Sequence, residues 1–199
     1  MAFSALLDTC VLVPSRGRDV LLQVALGHVF RPLWSSEILR ELDYTLRRLG
    51  LERGSTPGET EEYLARLQEQ MEVSFPDAVV LGWEKVTDTI DLPDPNDRHV
   101  VAAALIGRAD VIVTENSRDF PREKLPYPLF TQTLDEFLLD SLDLSPKIVV
   151  NAVVQVAKRT GRNGPAQSPA EIAEYLRRTS APEFGAAVVP LIIELEQGS

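Results

Sequence analysis

Phe3-Ser4-Ala5-Leu6-Leu7-Asp8 is an apolar run closed by a carboxylate, and Val111-Ile112-Val113-Thr114 repeats the pattern, with Asp119 following after a short polar turn. Short, nearly all-apolar runs of this kind read as strands buried on both faces of a parallel sheet. Their carboxyl ends then share one sheet edge, which is where open α/β sheets place their ligands. Acids gathered at such an edge with little positive charge nearby are most simply explained by divalent cations acting on a phosphate-bearing substrate.

Outward from these runs, strands and helices alternate. Leu6-Leu7-Asp8-Thr9-Cys10-Val11-Leu12-Val13 reads as a buried strand carrying Asp8, broken by Pro14 and Gly17 before a helix over 19–26. Phe30-Arg31-Pro32-Leu33-Trp34 is a second strand. Ser35 or Ser36 then caps a helix whose Ile38, Leu39, Leu42, Leu46 and Leu49 recur at helical spacing until Gly50 stops it. A polar loop with Gly54, Pro57 and Gly58 leads into an amphipathic helix over 59–71. The stretch 77–90 is mixed, with a helix near 83–88. Turn formers at 92–99 precede a helix over 100–105 that Gly107 ends or weakens. A strand at 111–114, a last strand at Phe130-Thr131 and a helix over 134–142 complete an α/β pattern whose sheet is covered on both faces. Beyond Ser145-Pro146 only helices are expected, over 147–160, 169–178 and 182–196, with a polar linker at 161–168. This places an α/β domain at 1–143 and a small all-helical domain at 144–199.

The 199 residues include a single cysteine, Cys10, which cannot form an internal disulfide, and no signal segment or membrane-length apolar stretch. A cytoplasmic location is expected. The net charge of -10 argues against a general nucleic-acid coat protein, which would neutralise phosphates with Lys and Arg. Its distribution is uneven: between 145 and 180 six basic residues (Lys147, Lys158, Arg159, Arg162, Arg177, Arg178) face only Glu171 and Glu174, a local balance of +4 that leaves -14 for the rest. An acidic body whose acids hold metal, joined to a basic appendage, is compatible with a nucleic-acid substrate. Arg159, Arg162, Arg177 and Arg178 are the candidate nucleic-acid contacts, although the same residues would serve as a solvated face.

Taken singly, each acid has a plain structural reading. Asp97 at a helix start is a cap, and Glu37 and Glu41 share one helical face where either would be solvated. Glu41 sits beside the core-facing Leu42, whereas Glu37 lies in the first turn, where acids favour the helix dipole. Thr114, Asn116 and Ser117 would position water or phosphate, or simply form the turn. His99 reads as a helix-start contact, His28 as structural, and Cys10 as a small buried residue.

Four segments together resemble a known family. Leu7-Asp8-Thr9-Cys10-Val11-Leu12, Ser36-x-x-Leu39-x-Glu41-Leu42, Asp94-Pro95-Asn96-Asp97-Arg98-His99-Val100-Val101-Ala102-Ala103-Ala104 and Val113-Thr114-Glu115-Asn116-Ser117-Arg118-Asp119-Phe120-Pro121 are similar to the four motifs of PIN-domain ribonucleases, closest to the VapC-like toxins of type II toxin-antitoxin pairs. The resemblance runs over about 3–140 with the motifs in order, and the helical tail resembles an extension found on a subset of these proteins. Cys10 departs from the pattern, since many members carry Asn there. The resemblance implies a three-layer α/β/α domain with a central parallel sheet. It also implies a metal site of Asp8, Glu41, Asp97 and Asp119, with Asp94 auxiliary and Asp97 or Asp119 orienting the attacking water. Magnesium or manganese would be the cofactor, RNA the substrate, and an antitoxin the partner, with a homodimer as a further possibility. Two rivals stand beside this expectation: a PIN-like binding or regulatory module without catalysis, and a metal-dependent phosphatase. The second lacks the expected Asp-x-Asp pair after the first strand.

Overall fold

The computed structural model describes residues 3–161 and 165–197. In chain order the elements are β1 (Ser4–Leu7), α1 (Thr9–Leu12), α2 (Ser15–Leu26), β2 (Arg31–Ser35), α3 (Ser36–Glu52), α4 (Pro57–Ser74), β3 (Val79–Val80), α5 (Glu84–Thr87), α6 (Arg98–Gly107), β4 (Val111–Val113), β5 (Phe130–Gln132), α7 (Leu134–Leu144), α8 (Pro146–Arg159), α9 (Pro169–Arg178) and α10 (Pro182–Gln197). Short 3-10 turns occupy Pro95–Asp97, Ser117–Asp119 and Arg122–Lys124. No helix among the described residues is long and apolar enough to cross a membrane.

Contacts divide the chain into two compact units, and they do so differently from a cut at 143/144. One unit holds Ser4–Val13 and Pro32–Thr131; the other joins Pro14–Arg31 to the described residues from Gln132 on. The reason is local: α2 packs on α8, and α7 packs on α8 and α10, so α2 and α7 share the core of the helical tail.

In the first unit the sheet runs β3-β2-β1-β4-β5. β1 and β4 are parallel, with Ala5, Leu6 and Leu7 opposite Val111, Ile112 and Val113, and β2 and β3 are parallel through Trp34 opposite Val79 and Ser35 opposite Val80. All residues of β1 and β4 are buried, as expected of central parallel strands. Ser4 anchors the start of β1, its hydroxyl donating to the Arg108 carbonyl at 3.0 Å and to Asp110 at 2.9 Å.

Several boundaries differ from the sequence reading. The strand stops at Leu7, and Val11 and Leu12, both wholly buried, belong to α1. Burial on every side erases the periodicity that would separate strand from helix there. α2 begins at Ser15 and includes Gly17, and α3 continues through Gly50 to Glu52. Ser35 is the α3 cap, its Oγ accepting from the Ile38 amide at 3.2 Å. α4 starts at Pro57 behind a capping box of Thr56 and Glu59. Within 77–90 the structure contains β3 and the four-residue α5. Gly107 lies inside α6 rather than after it: a Cβ there would sit 2.7 Å from Val80 and 3.1 Å from Leu33, so the glycine permits the close seating of α6 on the sheet. The helix terminator is Arg108, left-handed at φ 54, with the Ala109 amide closing back on the Ala104 carbonyl at 2.8 Å.

The helical unit is built on Val149, Val153, Val156, Ile172, Leu176, Phe184, Val188 and Ile192, each at most 2% exposed. Each such side chain contributes about 1.5–3 kcal/mol by its removal from water. Ile148, beside them on α8, is 39% exposed. Phe30 and Phe3 add aromatic contacts to Phe137 in the same unit, the Phe30 ring edge-on at 4.8 Å.

Candidate active site

Asp8 follows the last residue of β1 in extended conformation and caps α1. Its backbone amide continues the ladder to the Val113 carbonyl at 3.1 Å, which fixes the residue at the carboxyl end of the sheet. Its carboxylate, only 7% exposed, accepts from the Thr9 amide on Oδ1 at 2.7 Å and from Thr114 Oγ1 and Cys10 Sγ on Oδ2 at 2.7 and 3.1 Å. These three donors hold the buried anion without a cation among them, which compensates for lost hydration and fixes its orientation.

Cys10 is therefore more than a small filler. Burial, and then the adjacent Asp8 charge, push its thiol up to about 12, so it stays protonated and donates to Asp8. It also accepts from the Glu115 amide at 3.2 Å, tying α1 to the turn after β4. Thr114 is fully buried, and its hydroxyl oxygen accepts from the Asn116 amide at 3.1 Å. Asn116 and Ser117 are exposed at the start of the turn that carries Asp119.

Glu41 enters from α3 and meets partners that are distant from it along the chain. Thr9 Oγ1 donates to its Oε2 at 2.6 Å, and His99 Nε2 lies 3.2 Å from its Oε1. Burial pushes the Glu41 carboxyl up, but the hydrogen bonds from His99 and Thr9 and the nearby charges of His99 and Arg40 outweigh it, leaving the group below its ordinary range. His99 is 6% exposed on the first turn of α6, with the Trp83 ring edge-on at 6.0 Å. Glu37 instead pairs with Arg40 on the solvent side of α3.

Asp97 ends the 3-10 turn that opens α6, and Asp94 caps that turn, accepting from the Asn96 amide at 2.8 Å. Burial first, and then the charges of Asp8, Asp94 and Asp119, together raise the Asp97 carboxyl to about 6 against the lowering influence of His99. Four aspartates from three separate segments thus repel one another at one sheet edge. Asp119 closes the set from the end of its turn, its amide bonded to the Asn116 carbonyl at 2.9 Å. Among the described residues no group of three or more His, Cys, Asp or Glu side chains stands close enough to hold a metal ion directly. The donor chemistry nevertheless fits one: these are hard oxygen ligands under mutual repulsion, and magnesium needs only one or two direct carboxylates because it keeps much of its water.

The candidate RNA contacts belong to the helical unit. Arg159 donates to Gln23, and Arg177 and Arg178 both donate to Glu174. Arg162 lies outside the described residues.

A chain whose parallel sheet gathers acids from the ends of β1 and β4, from α3 and from the start of α6 has the architecture of one family. It belongs to the PIN-domain family, whose sequence model matches residues 4–118, more than half of the chain. The fold is accordingly the α/β/α PIN type with a helical C-terminal part, and the VapC50 C-terminal domain model matches residues 134–190. A curated relative, "Putative ribonuclease VapC50" of Mycobacterium tuberculosis, is 55% identical over 49 residues, covering 24% of this chain and 29% of that protein. The match thus spans less than a third of that relative's length. No solved structure matches the chain.

Proposed function

We propose that this protein is a metal-dependent endoribonuclease of the VapC type, acting in the cytoplasm as the toxin of a toxin-antitoxin pair. The observation that carries the reading is the crowding of Asp97 by Asp8, Asp94 and Asp119 around a buried, cation-free Asp8 carboxylate. Apart from a bound cation, such an arrangement costs stability and brings nothing in return. Asp8, Glu41, Asp97 and Asp119 would hold magnesium or manganese, with Asp94 in support. When bound, the ion would lower the pKa of a water and neutralise charge on the phosphodiester.

The chain's own residues supply the rest. Thr114 and Cys10 orient Asp8, while Thr9 and His99 orient Glu41, so the two carboxylates hold fixed positions before substrate arrives. Asp97 or Asp119 accepts a proton from the attacking water. Arg159, Arg162, Arg177 and Arg178 would hold RNA against the repulsion of the acidic body. An antitoxin would silence the protein by covering the acids.

The test combines cleavage and metal binding. Purified protein should cut RNA with magnesium or manganese and stop with EDTA, and Asp8→Asn should abolish cutting while remaining folded. Manganese should raise the melting temperature of wild type and not of Asp8→Asn. Equal cleavage by both proteins, or cleavage indifferent to EDTA, would remove the metal mechanism. Growth arrest by wild type and Asp8→Asn alike would replace hydrolysis with sequestration of a partner.

A further inference from the structure

Next to Glu41, α3 presents side chains that the carboxylate network does not use. An open cleft of about 350 Å³ is lined by Thr9, Arg40, Glu41, Tyr44 and Thr45. Two of its walls, Thr9 and Glu41, are the hydrogen-bonded pair that reaches the acidic cluster. The cleft is therefore continuous with the candidate site and not a separate depression. Tyr44 follows Glu41 by three residues, which places the two Cβ atoms about 5–6 Å apart on one helical face. Its ring is 68% exposed. Arg40 forms the other side, its guanidinium braced by both oxygens of Glu37 and close enough in charge to act on Glu41.

A solvent-facing aromatic ring, a cation fixed in orientation and an open floor are the components of a single-stranded nucleic-acid subsite. Bases stack on aromatic faces whatever their identity, and a neighbouring Arg meets phosphate or adds to the stack. A double helix would not fit this use, because its bases are not free to leave their stack. Tyr44 shares its helical face with Glu41, so its ring stands beside the carboxylate that Thr9 links to Asp8.

We propose that this cleft binds the nucleobase adjoining the scissile phosphate of single-stranded RNA, with Tyr44 as the stacking platform and Arg40 meeting the neighbouring phosphate. This inference rests on the ribonuclease reading and adds to it a base-stacking subsite beside Glu41.

The experiment uses a short single-stranded RNA carrying 2-aminopurine, whose fluorescence falls on stacking, titrated into the full chain bearing Asp8→Asn. The expected result is quenching on binding, with affinity lowered roughly 5- to 100-fold when Tyr44→Ala is added and recovered with Tyr44→Phe. In the cleaving protein, Tyr44→Ala should raise KM by the same factor and leave kcat unchanged. Equal affinity and equal quenching for Tyr44 and Ala at this position would overturn the proposal. So would preference for duplex over single strands. Wild-type protein that cuts RNA while ignoring the Tyr44 changes would refute the subsite alone, whereas wild-type protein that cuts no RNA would refute the ribonuclease reading beneath it.

Discussion

Asp97 is a carboxyl group whose ionisation the fold opposes. Its carboxyl is raised to about 6 by burial and by the charges of Asp8, Asp94 and Asp119, so in the absence of metal the folded chain binds a proton there more tightly than the unfolded chain does. The stability from that proton is fully present below the unfolded pKa and is lost as pH rises through about 6. Asp97→Asn removes the titration. Its stability relative to wild type, measured by urea denaturation in EDTA, should increase between pH 4 and pH 7 by on the order of 1 kcal/mol, solvent screening having reduced the figure. A difference independent of pH would mean that the acids do not repel at this position. Thr114→Val tests the opposite kind of interaction. It keeps the shape but removes the buried hydroxyl that donates to Asp8, and should cost about 1.5–3 kcal/mol, while Thr114→Ser should cost much less. Asp8, Asp97 and Asp119 were legible in the sequence because they punctuate element ends, where local pattern is strong. Thr9 and His99 were not, since their partner Glu41 comes from α3 and only the packing of that helix brings the three together. Cys10 was read as inert because nothing in a lone thiol's neighbours along the chain foretells a bond to a carboxylate beside it.

Among the elements, α6 shows how local rules are reassigned by packing. Sequence reasoning gives Gly107 the terminating role, since glycine most readily takes the left-handed conformation. In the fold Gly107 is needed one step earlier, where any Cβ would collide with Val80, and the left-handed position falls on Arg108. A non-glycine residue in that conformation costs roughly 1–2 kcal/mol. Arg108→Gly should therefore stabilise the protein by up to about 1 kcal/mol, after part of the gain is lost to the freer unfolded chain. The Ser4 bond to the residue 108 carbonyl does not depend on the side chain and should persist. Thermal and chemical melts check the sign, and a destabilised variant would show that the Arg108 side chain has a packing role. The fully buried residues of α1 explain the other misreading: when every neighbour is apolar, neither a period of two nor one of 3.6 is visible. Amphipathic helices such as α3 and α9 were legible for the converse reason, each having one face in water.

For the whole molecule, the proposed activity requires an acidic chain of net charge -10 to retain a polyanion. The basic excess lies in the helical unit, but its members are not equally free. Arg177 and Arg178 share Glu174, whose carboxyl they hold down at about 2, and Arg159 is bonded to the neutral Gln23. A phosphate approaching α9 competes with Glu174 for two guanidinium groups, whereas one approaching the end of α8 displaces only an amide. Charge count alone would weight these positions equally; the pairing does not. Changing Arg159, Arg162, Arg177 and Arg178 together to Gln should weaken RNA binding and flatten log affinity against log salt, each lost phosphate contact lowering the slope by about 0.7 for a single strand. Because Arg177 and Arg178 are paired with Glu174, Arg159→Gln alone should cost more affinity than Arg177→Gln or Arg178→Gln alone. Catalysis at saturating RNA should change little, since Arg159, Arg177 and Arg178 are bonded to Gln23 and Glu174 and not to the carboxylate network. An unaltered affinity and salt slope in the quadruple variant, with its melting temperature intact, would show that the tail does not touch RNA and would assign its basic face to the antitoxin or to a second copy of the chain.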